Sequence, residues 1–148
     1  MSATMFSEPD KDILDRRGAI VEHLASLVSP EGLITDRDEC RAYETDALAA
    51  YRKMPLAVVL PTSTDEVSAV LKFCHDNGVK VVPRGAGTSL AGGAIPTEDA
   101  VVLGLSRMSR VLEINYDDRF IRVEAGVTNL SITSAVSDRG FFYAPDPS

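Results

Sequence analysis

The feature of this sequence that most limits its fold is an alternation of element types that begins at Pro55. Short β-branched runs, of the kind that form buried strands, occur at 57–60, 79–83 and 101–105, and a helical stretch separates the first two. Strands that alternate with helical segments are typical of a parallel sheet covered by helices. We therefore predict an α/β (α+β) fold with a small parallel sheet flanked by helices.

The helical stretch between the first two strands carries signals at both ends. Ser63 is followed three residues later by Glu66, a capping-box spacing in which the hydroxyl and the carboxylate each accept a backbone N–H. Gly78 closes the helix, because glycine adopts the left-handed conformation of a helix end at little cost. The apolar stripe of this helix is predicted to consist of Val67, Val70, Leu71 and Cys74.

The last third of the chain predicts a hairpin followed by a helix. Apolar runs at 111–114 and 120–124 are joined by polar residues that suit a hairpin connection. Thr128 is placed to cap a final helix, which Gly140 ends. The predicted fold therefore adds a β-hairpin to the parallel sheet and its helices.

The first third of the chain is less regular. Apolar residues at helical spacing predict a helix over 11–27, and the stretch 35–54 lacks a sustained period and is predicted to be irregular. We therefore divide the chain into a lead-in, 1–53, and a main unit, 54–148.

Composition excludes several classes of partner. The 148 residues carry a net charge of −7 and no cluster of basic residues, so we expect no nucleic-acid partner. The longest apolar runs are far shorter than the roughly 20 residues of a membrane-spanning helix, and the first residues are acidic where a secretory signal is basic. We therefore expect no transmembrane segment and a cytoplasmic location.

Metal and thiol chemistry are not indicated. The only cysteines, Cys40 and Cys74, have no CxxC spacing and no histidines around them, so we predict no metal site and reduced thiols. Ser106 and Ser131 have no Ser-His-Asp context, which leaves nucleophilic catalysis without support.

The most informative segment is 84–96, between the second and third strands. Four glycines and two hydroxyl residues occur within the ten residues 84–93, which leaves backbone N–H groups uncovered and able to bind an anion such as a phosphate. A P-loop is excluded because no lysine follows Lys80, and a dinucleotide fingerprint fails because Leu90 stands at its third glycine position. The segment is thus a phosphate cradle of another type, or a structural turn.

Two motifs resemble a known family. The run 81–96, with sequence VVPRGAGTSLAGGAIP, and the run 144–148, with sequence APDPS, are similar to the FAD-binding domain of the vanillyl-alcohol oxidase / p-cresol methylhydroxylase (PCMH) superfamily. Within that family, the resemblance favours the FAD-linked subunit of glycolate oxidase and the D-lactate dehydrogenases, and it extends over 43–148. It implies that 54–148 is the amino-terminal half of a PCMH-type domain, incomplete at its carboxyl end, and that the chain is a truncated or excised piece.

The resemblance also implies site residues. The loop would wrap the FAD pyrophosphate, and the second motif would begin another FAD-contacting segment. Thr88 stands where relatives with covalently attached FAD have a histidine, which implies non-covalent FAD. Arg84 would offset pyrophosphate charge or contact substrate, or else be a solvated turn residue. The implied cofactor-binding residues are Pro83, Arg84, Gly85, Ala86, Gly87, Thr88, Ser89, Gly92, Gly93, Pro145, Asp146 and Pro147.

The implied function is an FAD-dependent oxidoreductase that transfers a hydride from a 2-hydroxy acid to FAD. Its catalytic base is not identifiable in this sequence, and we expect the 148-residue chain alone to be inactive. Partner subunits or self-association are expected, with peripheral attachment to the inner membrane only through such subunits. The alternatives are a non-catalytic nucleotide- or partner-binding fragment and a UDP-sugar reductase of the same superfamily.

Overall fold

A four-stranded sheet forms the centre of the computed structural model, which describes residues 8–145. A separate two-stranded hairpin follows the sheet in the chain. The strands are β1 (Leu33–Ile34), β2 (Ala57–Val59), β3 (Lys80–Arg84), β4 (Ala100–Gly104), β5 (Val111–Asn115) and β6 (Phe120–Val123). The helices are α1 (Lys11–Asp15), α2 (Arg17–Leu27), α3 (Arg37–Cys40), α4 (Thr64–Asn77) and α5 (Asn129–Val136).

The sheet has the order β1-β2-β4-β3 and is mixed. The predicted parallel part is confirmed, because β4 pairs in parallel with both β2 and β3. The added strand is β1, which pairs antiparallel with β2 through Leu33 opposite Val59. Two residues are too few to show the periodicity of a strand, so the sequence does not predict β1. It forms a strand only because it pairs with the edge of β2.

Alternate residues of the central strands face two different layers, as the period of a β-strand requires. On one face, Ala57, Val59 and Val101 pack against α1, α2 and α4 in the main core. On the other face, Val58 and Val102 pack with Cys40 beneath the lead-in segment. Since β2 and β4 are buried on both faces, they read as continuous apolar runs in the sequence.

The ends of α4 follow the prediction except in one detail. The Ser63 hydroxyl accepts a hydrogen bond from the Glu66 N–H at 3.2 Å, and Gly78 has φ +70°. The Glu66 carboxylate, however, accepts from the N–H of Thr62 at 2.6 Å instead of that of Ser63, so the box closes one residue earlier than predicted. The prediction that Leu71 belongs to the buried apolar stripe is wrong, because 43% of the surface of this residue is exposed.

The lead-in differs from the prediction in two places. The single helix predicted over 11–27 is divided at Arg16 into α1 and α2. The stretch 35–54 contains the short helix α3, because the Asp36 carboxylate accepts hydrogen bonds from the N–H groups of Asp38 and Glu39. A cap of this kind is local and short, and the search for apolar periodicity does not detect it.

Asp99 ties the start of the chain to the sheet. Its carboxylate is fully buried and accepts hydrogen bonds from the Lys80 ammonium at 2.7 Å and the Asp10 N–H at 2.9 Å. Burial raises the pKa of Asp99, but the hydrogen bonds from Lys80 and Asp10 outweigh burial and bring the pKa to about 2. The carboxylate is therefore ionised under all ordinary conditions.

The hairpin and the last helix are confirmed. Strands β5 and β6 pair antiparallel, and the Thr128 hydroxyl accepts from the Ser131 N–H at the start of α5. A 3-10 turn extends the helix to Gly140, which has φ +74°. Ile132 and Val136 are the buried residues of α5.

Candidate functional site

A cleft of about 680 Å³ lies where β3 and β4 end and α5 begins. The carboxyl ends of parallel strands are the usual ligand edge of α/β sheets. Three chain segments meet in the cleft: the glycine loop after β3, the turn after β4 and the segment that leads into α5. Its lining residues are Gly85, Ala86, Thr88, Ser106, Ser109, Ala125, Gly126, Val127, Thr128, Asn129, Leu130 and Ser131.

The glycine loop presents bare backbone to the cleft. A Cβ placed on Gly85 would meet no atom within 4 Å, so the space on this side of its backbone is open. Gly87 has φ +74°, a conformation that turns the chain sharply and that side chains other than glycine adopt at a cost. A turn of this kind can expose consecutive backbone N–H groups to an anion.

The opposite wall depends on Gly126, which the sequence analysis did not single out. A Cβ on Gly126 would collide with the Leu105 carbonyl oxygen and lie 2.8 Å from the Met108 carbonyl oxygen. The Gly126 N–H donates to that Met108 carbonyl at 2.9 Å. Only glycine therefore allows the two segments to approach so closely.

Helix α5 directs its amino terminus into the cleft. Residues 128–131 line the cleft, and the first N–H groups of a helix have no partner within it. Together with the helix dipole, these groups make a helix start an anion-binding site. The Thr128 and Ser131 hydroxyls are 2.8 Å apart and hydrogen bonded to each other at this point.

The electrostatics of the cleft suit an anion despite the acidic chain. Among the described residues that line it, none carries a charge. The nearby carboxylate of Glu124 is buried and accepts hydrogen bonds from the Arg110 side chain at 2.7 and 2.9 Å and from the Arg110 N–H at 2.8 Å. Hydrogen bonds from Arg110 lower the pKa of Glu124, and the same pairing neutralises its charge beside the cleft.

Of the predicted site residues, Gly85, Ala86 and Thr88 are brought together in the cleft. Pro145 lies close by, because its carbonyl accepts from the Asn129 side chain at 3.2 Å. Asp146 and Pro147 lie outside the described residues.

The other predicted residues lie around the loop and do not line the cleft. Pro83 is exposed on β3, and the Ser89 hydroxyl accepts from the Ala91 N–H within its own turn. Gly92 has φ +75°, and Gly93 stands in open space. Arg84 is the last residue of β3 and is half-buried, which contradicts the reading of a solvated turn residue.

Other chemistries find no support in the described part of the chain. Ser106 and Ser131 line the cleft, but His23 is stacked on Phe73 and His75 lies on α4, and neither histidine lines it. Within residues 8–145, no three His, Cys, Asp or Glu side chains are grouped closely enough to hold a metal ion. No helix in that range combines the length and apolarity needed to cross a bilayer.

The segments that sequence reasoning missed are the turn with Ser106 and Ser109 and the stretch 125–127. The order of elements could have indicated the second of these segments. A strand, a glycine and a capped helix follow one another within 120–136, and this order places a helix start at the edge of a sheet. The residues present fit a diphosphate-bearing cofactor, because bare backbone, hydroxyls and a helix start surround one cleft free of carboxylates.

The sequence is similar to a glycolate oxidase subunit and to a D-lactate dehydrogenase. Glycolate oxidase subunit GlcD of Escherichia coli K12 is 47% identical over 140 residues, which are 95% of this chain and 27% of that protein. D-lactate dehydrogenase of Archaeoglobus fulgidus is 40% identical over 128 residues, which are 86% of this chain and 28% of that protein. The chain thus spans little more than a quarter of the length of these relatives.

The fold also matches a solved structure of p-cresol methylhydroxylase with substrate bound. The TM-score is 0.74 at 18% identity, over 89% of this chain and 26% of that one. This likeness confirms the predicted PCMH-type fold. Residues 55–148, more than half of the chain, match the family model described as FAD binding domain. The chain therefore belongs to this FAD binding domain family, and its cofactor is FAD, as the resemblance predicted.

Proposed function

We propose that this chain binds the diphosphate of FAD in an oxidoreductase that acts on 2-hydroxy acids. The observation that carries the proposal is the meeting of the glycine loop and the start of α5 in one cleft without charged side chains. The printed names of the relatives, glycolate oxidase subunit and D-lactate dehydrogenase, support the substrate class.

Each wall of the cleft has a separate task in this proposal. The N–H groups of the loop around Gly85 and those of the first turn of α5 donate hydrogen bonds to the two phosphates. The hydroxyls of Thr88 and Ser106 add further donors at the two sides. When bound, FAD supplies the hydride acceptor, and these residues bind and orient its diphosphate.

The remaining predicted residues belong to the same proposal. We assign the FAD contacts to 83–89, with Arg84 contributing through its main chain, to Gly92 and Gly93, and to 145–147. FAD is held non-covalently because Thr88 offers no imidazole. The unit 54–148 carries the cofactor site, and the lead-in 1–53 precedes it in the chain. Partner subunits, and a cytoplasmic location with peripheral membrane attachment through them, complete the proposal; the name of the GlcD relative supports the subunits.

The diphosphate site is testable with the chain itself by amide NMR titration, which detects weak binding. Pyrophosphate, ADP and FAD should shift the amide signals of 85–88 and 126–131, and riboflavin, which has no phosphate, should not. Equal shifts with riboflavin, or none with any phosphate compound, would contradict the diphosphate site. The amides of 111–115 on the hairpin serve as an internal control, since they lie outside the cleft.

The substrate class needs the protein at its natural length. We expect purified protein to carry FAD and to reduce a dye with glycolate or D-lactate. Reaction with a UDP-sugar and NADPH instead would favour the reductase alternative. Protein that purifies without flavin and does not take it up would favour the non-catalytic alternative.

A further inference from the structure

The side chain of Arg84 points away from the cleft and towards the lead-in segment. Its Nη1 atom donates a hydrogen bond to the Thr45 carbonyl at 2.6 Å. Its Cζ atom lies 5.5 Å from the centroid of the Tyr43 ring. Arg84 is absent from the cleft lining, and its side-chain hydrogen bond and its ring contact are both made with the lead-in segment.

The guanidinium occupies the space beneath the left-handed residue of the loop. A Cβ built on Gly87 would touch the Arg84 Nη2 atom and would lie 2.6 Å from its Cζ atom and 2.9 Å from its Nε atom. All three of the nearest atoms therefore belong to one side chain. The φ of +74° favours glycine at this position, and a Cβ here would also have to displace the Arg84 guanidinium from its present place.

The anchor on the lead-in is itself fixed. The Thr45 hydroxyl donates to the Tyr51 carbonyl at 2.8 Å, and the Lys53 N–H donates to the Glu44 carbonyl at 2.8 Å. The buried Asp46 carboxylate accepts from the Leu48 N–H at 2.8 Å. The carbonyl that receives the Arg84 guanidinium thus belongs to a closed turn.

We propose that Arg84 is a positioning residue that sets the shape of the glycine loop from below by tying it to the turn 43–46. The inference rests on the proposed function, in which this loop binds the FAD diphosphate. Arginine suits the role because its planar fork can donate to a carbonyl while it stacks on a ring. Lysine has the same charge but lacks the planar fork, so it separates the effect of charge from that of shape.

A double-mutant cycle measures the packing of Arg84 against the loop without any ligand. Gly87→Ala, Arg84→Ala and the double variant are compared by urea unfolding. Gly140→Ala is the matched control, because Gly140 also has φ +74° but a Cβ there meets nothing within 4 Å. Gly140→Ala thus reports the cost of the left-handed backbone alone.

We expect Gly87→Ala to raise the unfolding equilibrium constant about fivefold more than Gly140→Ala does, and this excess should vanish in the Arg84→Ala background. An equal effect of the two alanines in the parent, or an excess that persists without Arg84, would overturn the proposal. Should Arg84→Ala not fold, hydrogen exchange of the Arg84 guanidinium in the parent decides: slow exchange supports the tie to Thr45, and exchange at the rate of a solvated arginine refutes it.

A second measurement links the loop shape to the ligand. Arg84→Lys should weaken FAD binding by about tenfold, because the charge remains but the loop loses its preset shape. Unchanged affinity in Arg84→Lys would show that charge alone matters and would sink the positioning role. If the parent does not bind FAD, the proposed function fails, and the unfolding cycle still decides whether Arg84 shapes the loop.

Discussion

The substitution Gly126→Ala tests whether the close approach of two backbone segments forms the cleft. The new Cβ would collide with the Leu105 carbonyl oxygen and lie 2.8 Å from the Leu105 carbonyl carbon and from the Met108 carbonyl oxygen. These are backbone atoms of a turn that is closed by the hydrogen bond from the Met108 N–H to the Leu105 carbonyl at 2.9 Å. They cannot rotate away as a side chain would, so the segments must separate.

The expected magnitude follows from comparison with Gly85→Ala. At an open site with ordinary φ, glycine to alanine stabilises a protein by about 0.4–1 kcal/mol, because the unfolded chain loses freedom. Overpacking at a rigid site costs about 1–3 kcal/mol. The free energies of unfolding of the two variants should therefore differ by about 1.5–4 kcal/mol.

Thermal unfolding followed by circular dichroism measures this difference. With about 2.1 cal/mol/K of unfolding entropy per residue, 1 kcal/mol shifts the Tm of a 148-residue chain by about 3 °C. Gly126→Ala should thus melt roughly 5–12 °C below Gly85→Ala. If it melts at the same temperature or higher, the approach of the two segments is not rigid, and the account of this wall is wrong.

Four further outcomes are expected. Asp99→Asn should flatten the dependence of the free energy of unfolding on pH between pH 4 and 2, measured by urea unfolding. The lowered pKa of Asp99 contributes about 2 kcal/mol to stability at pH values above the pKa of the unfolded chain, and this contribution is lost as the pH falls towards 2. An unchanged slope would exclude it. Arg110→Met should weaken pyrophosphate binding in the NMR titration, since it leaves the Glu124 charge unpaired near the cleft; Arg122→Met, which breaks the hairpin ion pair with Glu113 instead, is the control and should bind like the parent. Thr88→Ala protein of natural length should release its flavin on acid precipitation as the parent does, and flavin retained in either pellet would contradict non-covalent binding. The 148-residue chain alone should show no dye reduction with glycolate or D-lactate, because flavin chemistry needs a closed pocket and the chain spans only 27–28% of the length of its relatives; turnover with bound flavin would refute that expectation.

The parts of the fold that the sequence predicts are those fixed by neighbours along the chain. Ser63 and Gly78 delimit α4 through contacts within one turn, and the apolar runs of β2 and β4 follow from burial on both faces. Strand β1 is different, since two residues gain their strand character only from pairing with β2.

The candidate site divides in the same way. The glycine loop is visible in the sequence because several glycines stand together there. Gly126 has no such signal, because its requirement comes from the Leu105 carbonyl, which is distant in the chain. The direction of Arg84 likewise depends on Thr45, which contacts it only after the sheet has formed.

The cleft joins two parts of the molecule that do not share a sheet. One wall continues β3 of the central sheet, and the other continues β6 of the hairpin. A ligand that bonds to both walls would therefore link these two parts, and at a concentration of 100 times its Kd it would add about 2.7 kcal/mol to the stability of the folded chain. Because the strands of the hairpin are largely exposed while β2 and β4 are fully buried, we expect the hairpin to open at lower free energy than the central sheet and its amides to exchange faster.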